Sequence, residues 1–468
     1  MEALGRFTYW VYGVPLMILV VFAGVRFTLC TRFFQLRRLK CILKTPFARD
    51  MDSAEGQMTP FQAMSMAIGG SVGVANISGV STALVTGGVG ALFWMLVSAF
   101  LGMAIKMAEV TLACFYRHRD EEGRLWGGPT YYIQKFLGQE RGCKWWRVPA
   151  LLFGGGIFVS FFINVQNYSV AEAIGTTFDI PFMIPSLILA AVTYVMVSGG
   201  LRRLGTLCSY LVPFMCLFYI GCVLTVLFRC RDNILPSLRL IVTNAFSLRP
   251  AVGGIAGSCL AVSLRTGFAR ALYSNEAGWG TSPMVHATAE CSHPVRQGML
   301  GAFEVFADTA LVCTATGLLV VCTGMHDSGL MGAELTLKAL ENYLGSPARI
   351  AVALSVFLFG LTSALGWYAY YLTLLHHGLG EGRTKKLLPL FNLLMPAMGA
   401  GLTLAAVKLD LDPGKIWLIA DFSAIFPTAV NLCVLLTMTD RFVCLVKDWE
   451  NKNTKQRPKS AVSYRVRG

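Results

Sequence analysis

Long apolar segments recur along this chain and constrain its fold more than any other feature. Stretches of roughly 17 or more mostly apolar residues can cross the hydrocarbon core of a membrane as helices, and about eleven are present. They lie at 10–30, 61–87, 90–116, 148–175, 181–198, 206–228, 252–286, 296–323, 348–375, 386–407 and 414–438. Backbone polar groups find no water in hydrocarbon, so such segments span as helices. The sequence therefore predicts an all-α polytopic membrane protein.

Basic residues are placed unevenly among the loops. The chain has a net charge of +14 and only 14% charged residues. Lys and Arg are concentrated after predicted helices 1, 3 and 11, and are absent after helices 2 and 4. By the positive-inside rule, the N-terminus is expected outside and the C-terminus in the cytoplasm. This distribution indicates a lipid bilayer as the partner of the basic residues, and not nucleic acid. The first segment is expected to be a retained helix, and the Arg-rich outer loop after helix 6 could form an interfacial helix.

Metal, disulfide and enzyme signatures are missing from the sequence. The 14 cysteines are scattered without a C-x-x-C pair, and the six histidines lack ligand spacing. Neither an H-E-x-x-H nor a Walker-type Gly-Lys-Ser/Thr motif occurs. The protein is therefore not expected to be an enzyme or to carry a resident cofactor.

Two predicted helices are interrupted by small and polar residues, at 69–76 and at 270–278. With helix 1 set aside, helices 2–6 and 7–11 each open with an interrupted helix, and an odd number per half inverts the second half. This is typical of the inverted repeats of secondary transporters. The repeats would span approximately 55–230 and 250–440 within one transporter domain at 1–440, followed by a basic cytoplasmic tail at 441–468 that we expect to be disordered.

The chemistry of the first interruption suits a zwitterion with a cation. Its outer half-helix would begin near Val74 and present free amides to a carboxylate. Carbonyls from Gly69 to Val72 would suit a hard cation. The alternative is that these glycines only allow close helix packing, as in G-x-x-x-G faces.

Several motifs together resemble the alanine or glycine:cation symporter family over about residues 10–440. They are Phe61-Gln62-Ala63, Asn76-Ile77-Ser78-Gly79-Val80, Gly87-Gly88-Val89-Gly90, Gly127-Gly128-Pro129-Thr130-Tyr131-Tyr132, Ser274-Asn275-Glu276-Ala277-Gly278 and Asp308-Thr309. The resemblance implies a leucine-transporter-type fold of five plus five inverted helices with an extra N-terminal helix. It further implies sodium-coupled symport of a small neutral amino acid across a bacterial-type inner membrane. We expect a monomer, with sodium as the coupling ion.

Carried over by motif, the resemblance also implies site residues. The expected substrate-binding residues are Gly73, Val74, Ala75, Asn76, Gln166, Tyr273, Ser274, Asn275 and Trp367. The carbonyls of residues 273–275 would receive the ammonium. The expected sodium ligands are Gly69, Val72, Phe359, Thr362 and Ser363. Thr362 and Ser363 could instead bond carbonyls one turn earlier in their own helix.

The chain departs from the family pattern at Val74-Ala75, where Thr-Gly is usual, so substrate preference is less constrained than fold. A proton-coupled carrier, a carrier of another small amino acid and a non-transporting amino-acid sensor remain alternatives. Among charges at membrane depth, Lys106 and Glu109 are three residues apart and could pair on one helix face. Glu276 could neutralise Arg270, cap half-helix amides or bind a cation, and Asp308 could relay protons or bond broken-helix backbone.

Overall fold

The computed structural model describes residues 14–48, 57–73, 75–163, 165–247, 259–409 and 413–455, without the side chains of 165, 259, 413–421 and 453–455. The α-helices are α1 Pro15–Cys30, α2 Phe34–Arg37, α3 Leu39–Lys44, α4 Pro60–Ser71, α5 Val80–Gly87, α6 Ala91–Phe115, α7 Pro129–Tyr132, α8 Arg147–Val159, α9 Val165–Phe178, α10 Met183–Val197, α11 Gly200–Arg229, α12 Ile234–Ala245, α13 Cys259–Asn275, α14 Ser282–His286, α15 Pro294–Val305, α16 Thr314–Cys322, α17 Gly332–Leu344, α18 Ser346–Leu379, α19 Glu381–Lys408, α20 Pro413–Thr437 and α21 Thr439–Lys455. The π-helices are Ala75–Gly79, Ile133–Glu140 and Phe306–Cys313, and the 3-10 turns are Thr45–Phe47, Arg231–Asn233 and Met325–Asp327. Strands β1 His118–Arg119 and β2 Leu125–Trp126 pair antiparallel.

Several helices are long and apolar enough to cross a membrane. Within the described ranges, five pass this test by length and composition: α6, α11, the run from α15 to α16, α18 and α19. The number rises to seven if each of two bent pairs counts as one span. The pairs are α4 with the helix at 75–87, bent by 50°, and α20 with α21, bent by 63°. The predicted count of eleven and the inverted repeat remain predictions.

Two predicted helices differ from those in the structure. The segment at 148–175 forms two helices, α8 and α9, and not one. The second interruption lies at 276–281, whereas the sequence placed it at 270–278, because α13 continues to Asn275. Gly278 and Gly280 adopt φ values of 95° and 74°, and Glu276 adopts 50°. This left-handed backbone ends the helix at a point that apolar periodicity does not mark.

Helix α4 leads to the first interruption. Thr59 and Gln62 form a reciprocal capping box at its start. Its end packs closely on α18, since a Cβ on Gly366 would lie 2.7 Å from the Cα of Gly70. Gly70 therefore fits the close-packing alternative, while the backbone leaves the helix two residues later, at Val72.

The first part of the basic tail is helical, contrary to the expected disorder. In α21, Phe442 packs against Phe27 and Trp449 against Phe34, each with ring centroids 5.7 Å apart. Glu450 forms an ion pair with Arg37 at 3.2 Å. Residues 456–468 lie outside the described ranges. Apolar side chains spaced along the basic segment explain the folded part.

Candidate functional site

A cavity lies where the two interrupted helices meet α9 and α18. It is lined by Gly70, Ser71, Gly73, Ala75, Gln166, Ser169, Tyr273, Glu276, Trp279, Ser363 and Trp367. A second cavity shares Gln166, Tyr273, Trp279 and Trp367 and extends to Ser160, Ile163, Ala364, Tyr371, Met395 and Ser423. The two adjoining spaces therefore share one aromatic and polar wall.

The cavity includes five of the nine predicted substrate-binding residues. Gly73, Ala75, Gln166, Tyr273 and Trp367 line it. Val74 lies outside the described residues. The remaining three, Asn76, Ser274 and Asn275, are buried but are not among the lining residues. Their side chains bond a polar cluster behind the cavity wall.

Asp308 is the centre of this polar cluster. It is completely buried in the π-helix that follows α15. Its carboxylate accepts hydrogen bonds from Asn76 Nδ2 at 2.6 Å, from Ser274 Oγ at 2.7 Å and from Thr309 Oγ1 at 2.6 Å. Asn275 Nδ2 donates to Thr309 Oγ1 at 3.1 Å. One carboxylate thus connects the two interrupted helices through side chains, and not through the backbone that the sequence suggested.

Some backbone hydrogen-bonding groups of the first interruption are bonded by side chains of the same segment. The amide of Gly73 donates to Asn76 Oδ1 at 2.9 Å, so it is not free for a substrate as the sequence predicted. Ala75 is the first residue of the π-helix, so its amide has no partner within that helix. This end of the cavity suits a negatively charged group.

The second interruption presents carbonyl groups. The amide of Glu276 bonds the carbonyl of Leu272 at 3.0 Å, and α13 ends one residue before Glu276. The carbonyls of Ser274 and Asn275 belong to the last turn, where a helix leaves its carbonyls without helical partners and carries partial negative charge. This end suits a positively charged group.

The predicted sodium ligands are concentrated where α4 meets α18. Ser363 Oγ donates to the carbonyl of Gly69 at 3.1 Å. Thr362 Oγ1 lies 3.1 Å from the carbonyls of Phe359 and Leu358, which is the back-bonding alternative. Val72 follows the end of α4 and is buried.

A side chain at Gly73 would crowd this group. A Cβ there would lie 2.7 Å from Ser363 Oγ. Oxygen atoms from two helices therefore lie together beside the first interruption, an arrangement that can bind a small hard cation.

Buried charged side chains stabilise the second interruption, but Lys106 and Glu109 do not pair with each other as predicted. Lys106 pairs with Glu304, with Nζ 3.5 Å from Oε1, and not with Glu109. Glu109 accepts the amides of Gly278 at 3.1 Å and Gly280 at 3.0 Å. The left-handed loop turns these amides toward α6, so the carboxylate caps the loop.

Trp279 is a cavity residue that the sequence analysis missed, because it follows the recognised motif. It is 4% exposed, and its Nε1 has no hydrogen-bond partner among the described residues. The same holds for Nε1 of Trp367, which is 8% exposed. Buried donors without partners indicate that this wall is built to meet a polar ligand or water.

Outside the cavity, the described part of the chain contains three side chains with the spacing of metal ligands: Asp120, His376 and Glu381. Arg124 donates to Asp120 Oδ2 at 2.8 Å and to Glu381 Oε1 at 3.1 Å. A guanidinium group already supplies positive charge there, so the arrangement is explained without a metal ion.

Comparisons with known proteins match the chain to membrane transporters. Residues 1–463 match the model of the sodium:alanine symporter family. An uncharacterized transporter of Haemophilus influenzae is 34% identical, with 94% of each chain covered. The sodium/alanine symporter AgcS of Methanococcus maripaludis is 35% identical over 77% of this chain and 80% of its own. The probable sodium/glutamine symporter GlnT of Bacillus subtilis is 32% identical over 96% of this chain and 90% of its own.

Among solved structures, a manganese transporter of Eremococcus coleocola aligns with a TM-score of 0.45 and 13% identity, covering 82% of this chain and 78% of that chain. A likeness at this level carries no argument about the site.

Proposed function

This chain belongs to the sodium:alanine symporter family, and on that premise we propose that it carries a small neutral amino acid, alanine or glycine, into the cell together with sodium. The family is one of membrane transporters, so the chain is a multi-pass membrane protein, and we propose transport and not catalysis as its activity. We further propose the leucine-transporter-type inverted repeat, a monomer, an outer N-terminus and a cytoplasmic C-terminus.

The cavity between the two interruptions is the observation that carries this proposal. Its Ala75 side offers a helix-start amide and its Tyr273 side offers helix-end carbonyls. The two ends of a zwitterion match these opposite partial charges. Trp367 and Trp279 enclose the space, with ring centroids 6.4 Å apart. Bulky walls of this kind favour a small substrate.

Sodium would bind beside the cavity, at the contact of α4 and α18. The carbonyl of Gly69 and the hydroxyl of Ser363 already lie 3.1 Å apart, and the hydroxyl can turn its lone pairs toward an ion. Gly73 and Ser363 also line the cavity. Sodium binding would therefore position the first interruption for the substrate, which is a direct physical route to coupling.

The available driving force is sufficient for uptake. A roughly tenfold sodium gradient supplies about 1.4 kcal/mol, and roughly 100 mV adds about 2.3 kcal/mol for one charge. Together they support an accumulation of about several hundred-fold for one ion per substrate. Rocking of one helix group against another around the cavity would give alternating access.

Uptake into liposomes tests the proposal. The purified protein is reconstituted, and labelled alanine, glycine and glutamine are offered with an inward sodium gradient or with potassium. Sodium-dependent accumulation of alanine or glycine is the expected result. Accumulation driven by a proton gradient without sodium would favour the proton-coupled alternative. Sodium-dependent binding without uptake or counterflow would favour a sensor.

Ser363→Ala is expected to raise the sodium concentration for half-maximal uptake by about tenfold or more, since a hydrogen bond or ligand contact to a charged group contributes about 1.5–3 kcal/mol. Ser355→Ala is the matched control, because that hydroxyl in the same helix bonds the carbonyl of Ala351, at 2.9 Å, and no other group among the residues that the structure describes. Sodium titrations of the initial uptake rate measure both variants. An unchanged sodium requirement in Ser363→Ala would remove this residue from the cation site.

A further inference from the structure

Glu276 is a buried carboxylate in the wall of the cavity. It is 3% exposed and adopts a φ of 50°, a left-handed conformation that a glutamate rarely takes. Such a backbone is maintained only when the surroundings or a function require it. The side chain lines the same space as Gln166, Tyr273 and Trp367.

The carboxylate of Glu276 accepts fewer hydrogen bonds than the buried carboxylates of Asp308 and Glu109. Thr281 Oγ1 donates to its Oε2, and no second bond to the carboxylate is found in the described part of the chain. By contrast, Asp308 accepts three side-chain hydrogen bonds. Glu109 accepts two backbone amides and the amide group of Asn431.

The neighbouring Lys106 does not supply the missing hydrogen bonds to the carboxylate of Glu276. Lys106 Nζ donates to the backbone carbonyl of Glu276 at 3.0 Å and to Ser282 Oγ at 2.9 Å. Its ion pair is with Glu304, which His286 Nε2 also contacts at 3.0 Å. A carboxylate can accept about four hydrogen bonds, and burying one without partners is costly. The carboxylate of Glu276 can therefore accept further hydrogen bonds, and Glu276 lines a cavity that a ligand can enter.

We propose that the carboxylate of Glu276 binds the primary ammonium group of the transported amino acid, an assignment that rests on the proposed function. The helix-end carbonyls of Ser274 and Asn275 would then be secondary contacts. The carboxylate end of the substrate would lie toward Ala75, on the other interrupted helix.

Aromatic rings beside Glu276 favour an ammonium over a metal ion. Tyr273 and Trp279 pack edge to face with centroids 5.1 Å apart, and Trp367 continues the wall. Ammonium groups bind well beside aromatic rings, whereas hard metal ions require a shell of oxygen atoms. The oxygen-rich group at Gly69 and Ser363 lies on a different pair of helices.

Glu276→Gln tests the assignment in the full-length purified protein. Binding of labelled alanine at saturating sodium is expected to weaken by about 30-fold or more, since removing one partner of a buried charge pair has an effect of that size. Glu290→Gln is the matched control, because this glutamate pairs with Arg119 at 3.3 Å in an exposed contact. Competition by L-lactate, which has a hydroxyl in place of the ammonium, is measured in parallel. The preference for alanine over lactate should fall by about tenfold or more in Glu276→Gln.

The sodium-induced change in tryptophan fluorescence, measured without amino acid, separates the outcomes. It should keep the wild-type sodium dependence in Glu276→Gln. Wild-type alanine affinity in this variant would overturn the proposal, and so would a loss confined to sodium binding.

If Glu276→Gln does not fold, Glu276→Asp keeps the charge but withdraws it by one methylene, and equal alanine affinity there would also overturn the proposal. A wild type that binds none of alanine, glycine and glutamine would instead refute the proposed function, and this assignment with it.

Discussion

Asp308→Ala is expected to reduce sodium-dependent uptake by about 100-fold, because each buried donor left without an acceptor costs about 1–3 kcal/mol. The substitution would remove the acceptor of Asn76, Ser274 and Thr309 together. Asn76 also holds the amide of Gly73. Its release would therefore disturb the cavity floor as well as the contact between the interrupted helices.

Asp308→Asn is the informative companion variant. One amide oxygen can still accept from Asn76, and the hydroxyls of Ser274 and Thr309 can rotate to accept from the amide nitrogen. Hydrogen bonding is then largely kept while the charge is lost. Initial uptake rates are normalised to folded protein measured by size-exclusion chromatography. Uptake near wild type in Asp308→Asn would show that geometry suffices, and uptake near wild type in Asp308→Ala would contradict the role of the cluster.

Lys106→Met is expected to lower the free energy of unfolding by about 3–5 kcal/mol, because it leaves a buried charge without its partner. Both Lys106 and Glu304 are completely buried in their ion pair. The variant also removes the donor to the carbonyl of Glu276. Thermal unfolding in detergent measures the loss.

Two further variants show whether charge is the cause. Adding Glu304→Gln to Lys106→Met removes the uncompensated carboxylate and should recover part of the lost stability. Lys452→Met breaks an exposed pair with Asp448 and should leave the free energy of unfolding nearly unchanged, because solvent screens the pair. Equal destabilisation by Lys106→Met and Lys452→Met would contradict the buried-pair explanation.

The two interrupted helices differ in how well their breaks can be predicted from the sequence. The small residues near Gly73 predicted a break at 69–76, and the structure leaves the helix within that range, at Val72. The second break begins at Glu276, six residues after the start of the predicted range at 270. Apolar periodicity continues past Arg270, while the end of α13 depends on the left-handed backbone at Glu276 and Gly278.

The residues of the site were also predicted only in part. Gln166 and Trp367, named through family motifs, line the cavity with Gly73. Asn76 and Ser274 were recognised as polar residues of the breaks, but the structure turns them toward Asp308. Trp279 carried no motif and was missed.

The sequence by itself determined the class of protein, its helical character and the presence of two polar interruptions. These follow from apolar length and from the need of a backbone in hydrocarbon to satisfy its own hydrogen bonds. Only the tertiary structure decided which polar side chains face the cavity and which face one another. Lys106 lies three residues from Glu109 yet pairs with the distant Glu304, because the rotation and packing of whole helices set those distances, and no local spacing along the chain encodes them.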